Sequence, residues 1–469
     1  MSTPLNSVVS PSPDYGLWVG FNDLNPFQPN STVLLCTGSA NWRKPPRLGE
    51  VADVVAFDAE KQQGTVIGHT RAVNYPIGAR PQTATSNGLP VYILNNIYNN
   101  IAAIDIYNHQ FCLIKTVYGF HHWCTSSDGS YSFCLDLEAT HRLGGYGYVF
   151  GNQATGSSVY SYPNRISLYS HYNDTSIELI SIEEAALLVS RHLGINYDMI
   201  LVNSYFSHLL LSPNEDCLAF LFRTWLRDGG ILTVLMSIDF ETGYSIKSIN
   251  IELAGQLSHF TWTSNNEILI YCYQILSKRS TRLRLQNLSH ILPLSKIAKV
   301  SFNVFKVLAP KKSKSSNFDG RNDVFPFVSV QKLPCFMTIR DRLVKPSGLN
   351  LPIGDGHPSV IRSTSEPTFI SDTYPNINMK RCLFAFSLVS GNLILKDFHL
   401  EYRPATLPTY PWVSRHIRLP HYAVFPVADQ SFTRSGLHCD LHPFSNADGS
   451  ILAYHTSESG YRTVEVTFL

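Results

Sequence analysis

His122-Trp-Cys-Thr-Ser-Ser-Asp-Gly129, followed at once by the apolar run Tyr131–Leu137, is a passage that recurs. Four further segments align with it without gaps: His208-Leu-Leu-Leu-Ser-Pro-Asn-Glu215, His259-Phe-Thr-Trp-Thr-Ser-Asn-Asn266, His357-Pro-Ser-Val-Ile-Arg-Ser-Thr364 and His442-Pro-Phe-Ser-Asn-Ala-Asp-Gly449. In four of the five a turn residue (Asp128, Asn214, Asn265 or Asp448) stands six places after the histidine, and an apolar strand follows. The unit reads as histidine, inner strand, tight turn, second strand. One such hairpin cannot bury both its faces, so it needs copies of itself on either side, and copies arranged around an axis make the blades of a β-propeller. The histidines are 86, 51, 98 and 85 residues apart by subtraction. Blades of about 40–50 residues fit these gaps if some blades lack the histidine. Residues 30–110 have room for two more.

The rest of the chain agrees with this reading. Short runs such as Val91–Leu94, Ile104–Tyr107, Leu218–Phe222, Leu232–Met236, Ile268–Tyr273 and Leu383–Leu388 are separated by polar or glycine-containing turns. One helix is expected over about 181–193, opened by the capping box Ser181-Ile-Glu-Glu184 and closed by Gly194. The expected fold is all-β, a single seven-bladed β-propeller over 1–469, with that helix and a basic, polar insertion at about 276–350 as decorations. Charged residues are only 15% of the 469, and Lys+Arg minus Asp+Glu is 37 − 35 = +2. That balance excludes the strong electrostatic footprint of a nucleic-acid binder. No run approaches the roughly 20 apolar residues of a membrane-spanning helix. Residues 1–15 are polar and proline-rich, without the pattern of a secretion signal. The nine cysteines are scattered, and Cys112, Cys134, Cys217 and Cys272 read as buried free thiols.

Histidines at one repeat position converge on one axis, where neutral imidazoles suit a metal or proton transfer. His438-Cys-Asp-Leu-His442 places a thiol three residues from an imidazole. With His259 and His357, Cys439 and His442 make one Cys and three His, the donor set of a closed zinc site. Asp372 is a competing ligand or a supporting partner of one. A hydrogen-bonded cluster without metal is the other reading. A second group lies earlier: His121-His122, His141, Tyr205 and Arg223. Arginine neutralises a carboxylate and so acidifies the proton on the adjacent carbon; a tyrosine or histidine removes that proton, and a second acid protonates the leaving oxygen. Arg223 paired to Asp228, and Tyr205 as an ordinary strand aromatic, are the structural alternatives. No phosphate loop, nucleophile elbow or His-Glu-x-x-His motif occurs.

The segments Leu135-Asp-Leu-Glu-Ala-Thr-His-Arg-Leu-Gly-Gly-Tyr-Gly-Tyr148, Ser207-His-Leu-Leu-Leu-Ser-Pro213, Ser258-His-Phe-Thr-Trp262, Asp355-Gly-His-Pro-Ser359, Ser371-Asp-Thr-Tyr-Pro375 and Cys439-Asp-Leu-His-Pro443 resemble, in order, those of propeller-type ulvan lyases. These are polysaccharide lyases related to oligogalacturonate lyases. The resemblance implies a seven-bladed propeller, a structural zinc, and β-elimination at a uronic acid of a sulfated polysaccharide (ulvan), leaving 4,5-unsaturated uronate ends. It implies catalysis by His121 or His122, His141, Tyr205 and Arg223, with His208, Tyr146 and Tyr148 beside the substrate. Tyr146 or Tyr148 is the alternative to Tyr205 as the reacting phenol. It implies an anionic polysaccharide as partner, no nucleic acid or membrane, a monomer, and a secreted or periplasmic location, with the cytoplasm left open by the N-terminal residues. The alternatives are a non-catalytic glycan-binding or scaffold propeller with a structural metal, and an oligogalacturonate lyase.

Overall fold

A computed structural model describes residues 4–42, 46–149, 164–201, 203–225, 231–278, 328–340, 343–346, 356–361, 367–373, 380–390, 392–400, 441–446, 448–456 and 462–468. Among these residues the chain is all-β with a few short helices, and each antiparallel sheet is finished before the next begins. The first sheet holds β1 (Val8–Val9), β2 (Gly16–Trp18), β3 (Val33–Ser39), β4 (Ala52–Asp58) and β5 (Gln63–Thr70), ordered β1-β5-β4-β3-β2. The second holds β6 (Gln82–Ser86), β7 (Leu89–Tyr98), β8 (Ile101–Tyr107) and β9 (Leu113–Tyr118), and the third β10 (His122–Thr125), β11 (Tyr131–Leu135), β12 (Arg165–Ser170) and β13 (Thr175–Ser181). A seven-stranded sheet follows, from β14 (Ser204–Leu211), β15 (Cys217–Trp225), β16 (Ile231–Phe240) and β17 (Ile246–Ser264) to β18 (Glu267–Lys278), β19 (Val328–Arg340) and β20 (Leu343–Pro346). The last two sheets are β21 (Ser359–Ile361), β22 (Thr368–Asp372), β23 (Lys380–Ser387) and β24 (Leu393–Leu400), then β25 (Phe444–Ser445), β26 (Ile451–Thr456) and β27 (Thr463–Phe468).

The seven-stranded sheet has a seam. β17 pairs with β16 through Ile246 to Gly255 and with β18 through Gly255 to Ser264. One long strand is therefore the outer strand of one meander and the inner strand of the next. Gly255 stands at the changeover, where a Cβ would come within 2.0 Å of the Gln274 carbonyl oxygen, so only glycine admits this approach.

Each sheet shares an apolar core with the next. Leu35 and Val54 pack with Tyr92 and Leu94. Ile93 and Ile104 pack with Cys134 and Tyr169. Leu269 and Tyr271 join Phe369 and Phe384, and Ile370 and Leu383 join Leu452 and Tyr454. Phe444 and Val464 of the last sheet close on Leu34 and Val55 of the first. The Leu17 amide donates to the Arg462 carbonyl at 2.9 Å, and the Val19 amide to His455 Nε2 at 2.9 Å. This succession of face-to-face sheets, returning on itself, is a propeller-like ring.

The repeat has a repeated turn. The amides of Ser126, Ser212 and Asn446 donate to the carbonyls of Tyr131, Cys217 and Ile451, and those of Gly129, Glu215 and Gly449 donate back to Ser126, Ser212 and Asn446. The three returning residues are all left-handed, with φ of 69°, 59° and 73°. The turn signal six places after the histidine thus corresponds to one geometry at three of its copies.

The capping box of the expected helix forms. In α2 (Ile182–Leu193) the Ser181 hydroxyl accepts from the Glu184 amide at 3.1 Å, the Glu184 carboxylate accepts from the Ser181 amide at 2.9 Å, and Gly194 is left-handed. Ser181→Ala is expected to cost about 1 kcal/mol, read as a lower midpoint in a urea titration. The run Tyr131–Leu137 is shorter as a strand than expected. It ends at Leu135, because the Asp136 carboxylate accepts from the Ala139 amide and starts α1 (Leu137–Gly144). Cys112 is exposed rather than buried, since it closes a turn in which its amide donates to the Asn108 side chain. Cys134, Cys217 and Cys272 are buried free thiols. The centre of the expected insertion, 279–327, lies outside the described residues; on either side of it β18 and β19 pair as far as Lys278 and Val328.

Candidate functional site

Strand irregularity aims the repeated histidines. Register slips between His122 and Cys124 on β10, between Ser207 and Leu210 on β14, and between Leu257 and Phe260 on β17. A bulge interrupts the alternation of faces and re-aims the side chain it carries. His357 and His442 stand two residues before β21 and β25. His208 and His442 also take left-handed φ of 56° and 41°, uncommon away from glycine and costly unless the surroundings hold it.

The rings then meet around one residue that no motif marks. Phe21 follows β2 and is 3% exposed. Its ring lies 5.1 Å from His208 (stacked), 5.0 Å from His442, 6.4 Å from His259, 5.8 Å from Tyr146 and 6.1 Å from Trp123. His208 is 5.1 Å from His259, His259 is 4.4 Å from His357, and His357 is 4.2 Å from His442. Arg80 stands two residues before β6, as His357 and His442 stand before their strands, and its φ is 53°. Its guanidinium lies 4.0 Å over the Trp123 ring and donates to Asp23 at 2.8 Å. Aligning β6 with the other inner strands would have found Arg80; nothing in the sequence singles out Phe21. Beyond the turn end of this cluster is a cavity of about 410 Å³, lined from several inner strands by residues such as Gln82, Thr125, Leu210, Thr261, Ser359 and Ser445.

The second group assembles next to the ring. Tyr205 of β14 lies directly opposite Arg223 of β15. Arg223 lies close enough to the phenols of Tyr205 and Tyr146 to interact with both electrostatically. Gly144, at the end of α1, leaves room for the Tyr205 ring: a Cβ there would lie 2.6 Å from it. His141 is on the same helix and is buried. Arg223 is 6% exposed and pairs with no carboxylate among the described residues, and its Nε has no partner. Asp228 lies outside the described residues. Burial alone would lower the proton affinity of this guanidinium, but the two phenols outweigh it and the net shift is upward. His208 sits close enough to Tyr146 (6.1 Å between rings) and Arg223 to feel both.

His121 and Tyr148 are placed elsewhere. His121 Nε2 meets the Asn96 carbonyl at 2.9 Å, and its ring lies 4.9 Å from Tyr148. The Tyr148 hydroxyl donates to the Gly78 carbonyl and accepts from Asn95, so its capacity is used inside the fold. Asn95 also donates to the His122 carbonyl and accepts from the His122 amide, which fixes that histidine's backbone.

Burial sets the protonation of these rings. It lowers His121 to about 3 and His171 to about 4, and holds His122 and His208 well below the ordinary histidine value, with nearby arginines adding to the effect on the last two. In the unfolded chain these groups titrate near 6.5. Below that pH the unfolded state binds protons that the folded state refuses, so stability falls as pH drops from about 6.5 toward 4. Asp136, raised by burial to about 6, and Glu138, also raised by burial, act in the opposite sense over part of the range but are two groups against four. The urea midpoint is expected to fall steadily between pH 7 and pH 4, and a midpoint constant over that range would contradict it.

Asp372 knits the last two sheets together. Its Oδ1 accepts from His357 Nδ1 and from the His357 amide, each at 2.8 Å, and its Oδ2 accepts from the amides of Leu441 (3.0 Å) and His442 (3.3 Å). It thereby orients His357 with Nε2 turned away from it. Cys439 lies outside the described residues. Among the described residues no three His, Cys, Asp or Glu side chains are arranged to hold a metal ion.

No family model and no curated protein matches the chain. Its likeness to solved structures is faint. It is 10% identical to the hydrazine synthase of Kuenenia stuttgartiensis, with 92% of each chain covered and a TM-score of 0.40. It is 7% identical to the oligogalacturonate lyase of Vibrio parahaemolyticus, covering 99% of this chain and 98% of that one at a TM-score of 0.35. It is 6% identical to prolyl oligopeptidase B of Galerina marginata, covering 99% of this chain and 51% of that one at 0.42.

Proposed function

We propose that the chain is a polysaccharide lyase that cleaves a uronate-containing polymer by β-elimination. The observation that carries this reading is Arg223, a buried guanidinium beside two phenols, with no carboxylate partner among the described residues and the neutral His208 imidazole nearby. A buried cation in that state calls for an anion, and the planar guanidinium suits the two oxygens of a carboxylate. Bound there, a uronate has its own charge offset, so the proton on the carbon next to the carboxylate is easier to remove. Tyr205 first passes its own phenol proton to His141 and then, as the phenolate, takes the proton from the carbon; the electron pair forms the new carbon–carbon double bond, and the bond to the leaving glycosidic oxygen breaks. His141 gives the proton it received to that oxygen. The nearby Arg223 guanidinium favours the phenolate that Tyr205 must become before it acts as base. Tyr146 shares Arg223 and is the alternative phenol.

The finer reading is ulvan as the polymer, a secreted monomer as the working form, and a seven-bladed ring. Support for the blade number comes from seven inner strands: β2, β6, β10, β14, the second half of β17, β21 and β25. Zinc held by His259, His357, His442 and Cys439 belongs to the same reading on the chemistry of the donor set alone, since the three described histidines are not arranged around an ion. Zinc would tie sheets that are distant in sequence. Elemental analysis is expected to give about one zinc per chain, lost in Cys439→Ala; equal zinc in both proteins would remove the assignment.

The test of the activity is the ultraviolet absorbance of the unsaturated uronate end, followed with ulvan, pectate and other uronate polymers. Absorbance rising with at least one polymer is expected. The filling of the axis by Phe21 favours a second reading, a glycan-binding propeller without catalysis, which predicts binding but no absorbance change on any of them.

A further inference from the structure

A line of four polar side chains crosses the third sheet from the axis outward. His122 Nδ1 lies 3.4 Å from the Thr125 hydroxyl, that hydroxyl 3.3 Å from the Ser132 hydroxyl, and Ser132 2.7 Å from His171 Nε2. The sheet's register makes the line. Thr125 and Ser132 are direct cross-strand partners, and His171 follows β12, whose Tyr169 pairs with Ser132. His122 and Thr125 are three residues apart and would face opposite ways on a regular strand. The bulge between His122 and Cys124 brings them to one side. His122, Thr125 and Ser132 are buried and His171 is half-buried. The outer nitrogens at both ends, His122 Nε2 and His171 Nδ1, have no partner.

We propose that Thr125 and Ser132 form a hydroxyl bridge that moves a proton between His122, at the axis, and His171, toward the outside of the ring. Each hydroxyl accepts one hydrogen bond and donates the next, so a single concerted shift carries the proton. With His122 protonated on both nitrogens, the proton on His122 Nδ1 passes to Thr125 as the Thr125 proton passes to Ser132 and the Ser132 proton to His171 Nε2. His122 is left neutral with its proton on Nε2, and His171 becomes protonated on both nitrogens. One proton has changed rings, and both hydroxyls end as hydroxyls. The charged and titratable groups around the two ends are Arg80 and His121 near His122, and Lys115, Asp174 and Tyr169 near His171. Lys115 donates to the His171 carbonyl and pairs with Asp174. Thr125 and Ser132 are positioning residues, which act by fixing which nitrogen of His122 carries the proton.

The bridge is testable without any substrate, so its failure is distinct from failure of the lyase reading. Nitrogen NMR of the full-length, histidine-labelled protein reports the tautomer of each ring. In Thr125→Val, which keeps the shape and removes the hydroxyl, the tautomer ratios of His122 and His171 are both expected to shift about fivefold, the size of one net hydrogen bond. Thr125→Ser restores the hydroxyl and is expected to restore both. His121, bonded to the Asn96 carbonyl, is the internal control and stays fixed. Should Thr125→Val unfold, Ser132→Ala carries the same expectation. Movement of His122 alone, or of neither ring, in a folded variant overturns the proposal.

Discussion

Arg223→Ala is expected to lower kcat/KM on the cleaved polymer by about 10²–10³, the usual cost of losing one preorganised electrostatic contact to the developing charge. The loss should fall mainly on kcat, because the contact strengthens as the second negative charge forms next to the carboxylate. Arg223→Lys keeps the charge but not the planar fork and should recover only a fraction. The comparison has to be made on folded protein. Arg223 lies beside Tyr205 and Tyr146 rather than against a described carboxylate, so its removal leaves no described carboxylate without its counter-charge. The melting temperature is therefore expected to stay within a few degrees of the parent. Full activity in Arg223→Ala, or its collapse, would make Arg223 a structural residue.

Asp372→Ala should have the largest effect on stability. One carboxylate accepts from the amides of His357, Leu441 and His442 and from the His357 ring, and Asp372 itself is fully buried. Removing it leaves three amides and an imidazole nitrogen without their acceptor, deep in the protein. Hydrogen bonds to a charged group are worth about 1.5–3 kcal/mol each. A loss in that range is expected from the urea midpoint at neutral pH. A loss below about 1 kcal/mol would mean that water replaces the carboxylate and that the two sheets are held by their apolar contacts alone.

The parts of this molecule that could be read from sequence are those that repeat. The turn after each inner strand is set within eight residues, so Ser126, Ser212 and Asn446 look alike in sequence and are alike in structure. The histidines were legible for the same reason. Phe21 and Arg80 were not, because they reach the same centre with different chemistry, and a search for likeness passes over them. β17 was not legible as one strand either: two meanders share it, and the changeover at Gly255 depends on a backbone approach from β18 that the local sequence does not encode. Tyr205 and Arg223 could be proposed as members of one site, but their direct opposition follows from the pairing of β14 with β15, and the sharing of Arg223 with Tyr146 depends on where α1 ends.

The meeting of the first and last sheets has a consequence for how the protein is made. Val19 and His455, joined by a hydrogen bond, are separated by 436 positions in the chain. On the ribosome the first sheet emerges with Leu34, Val55 and Val66 facing nothing, and it keeps that face open until Phe444, Ala453 and Val464 have been synthesised. At about 5–20 residues per second that interval is on the order of tens of seconds. A nascent chain in this state carries an apolar patch and the unpaired edge of β2, the features that invite aggregation. The final closure is also the contact with the highest loop entropy to overcome, so it belongs at the end of folding. Synthesis rate and chaperone supply should therefore govern the soluble yield of this protein more strongly than its equilibrium stability does.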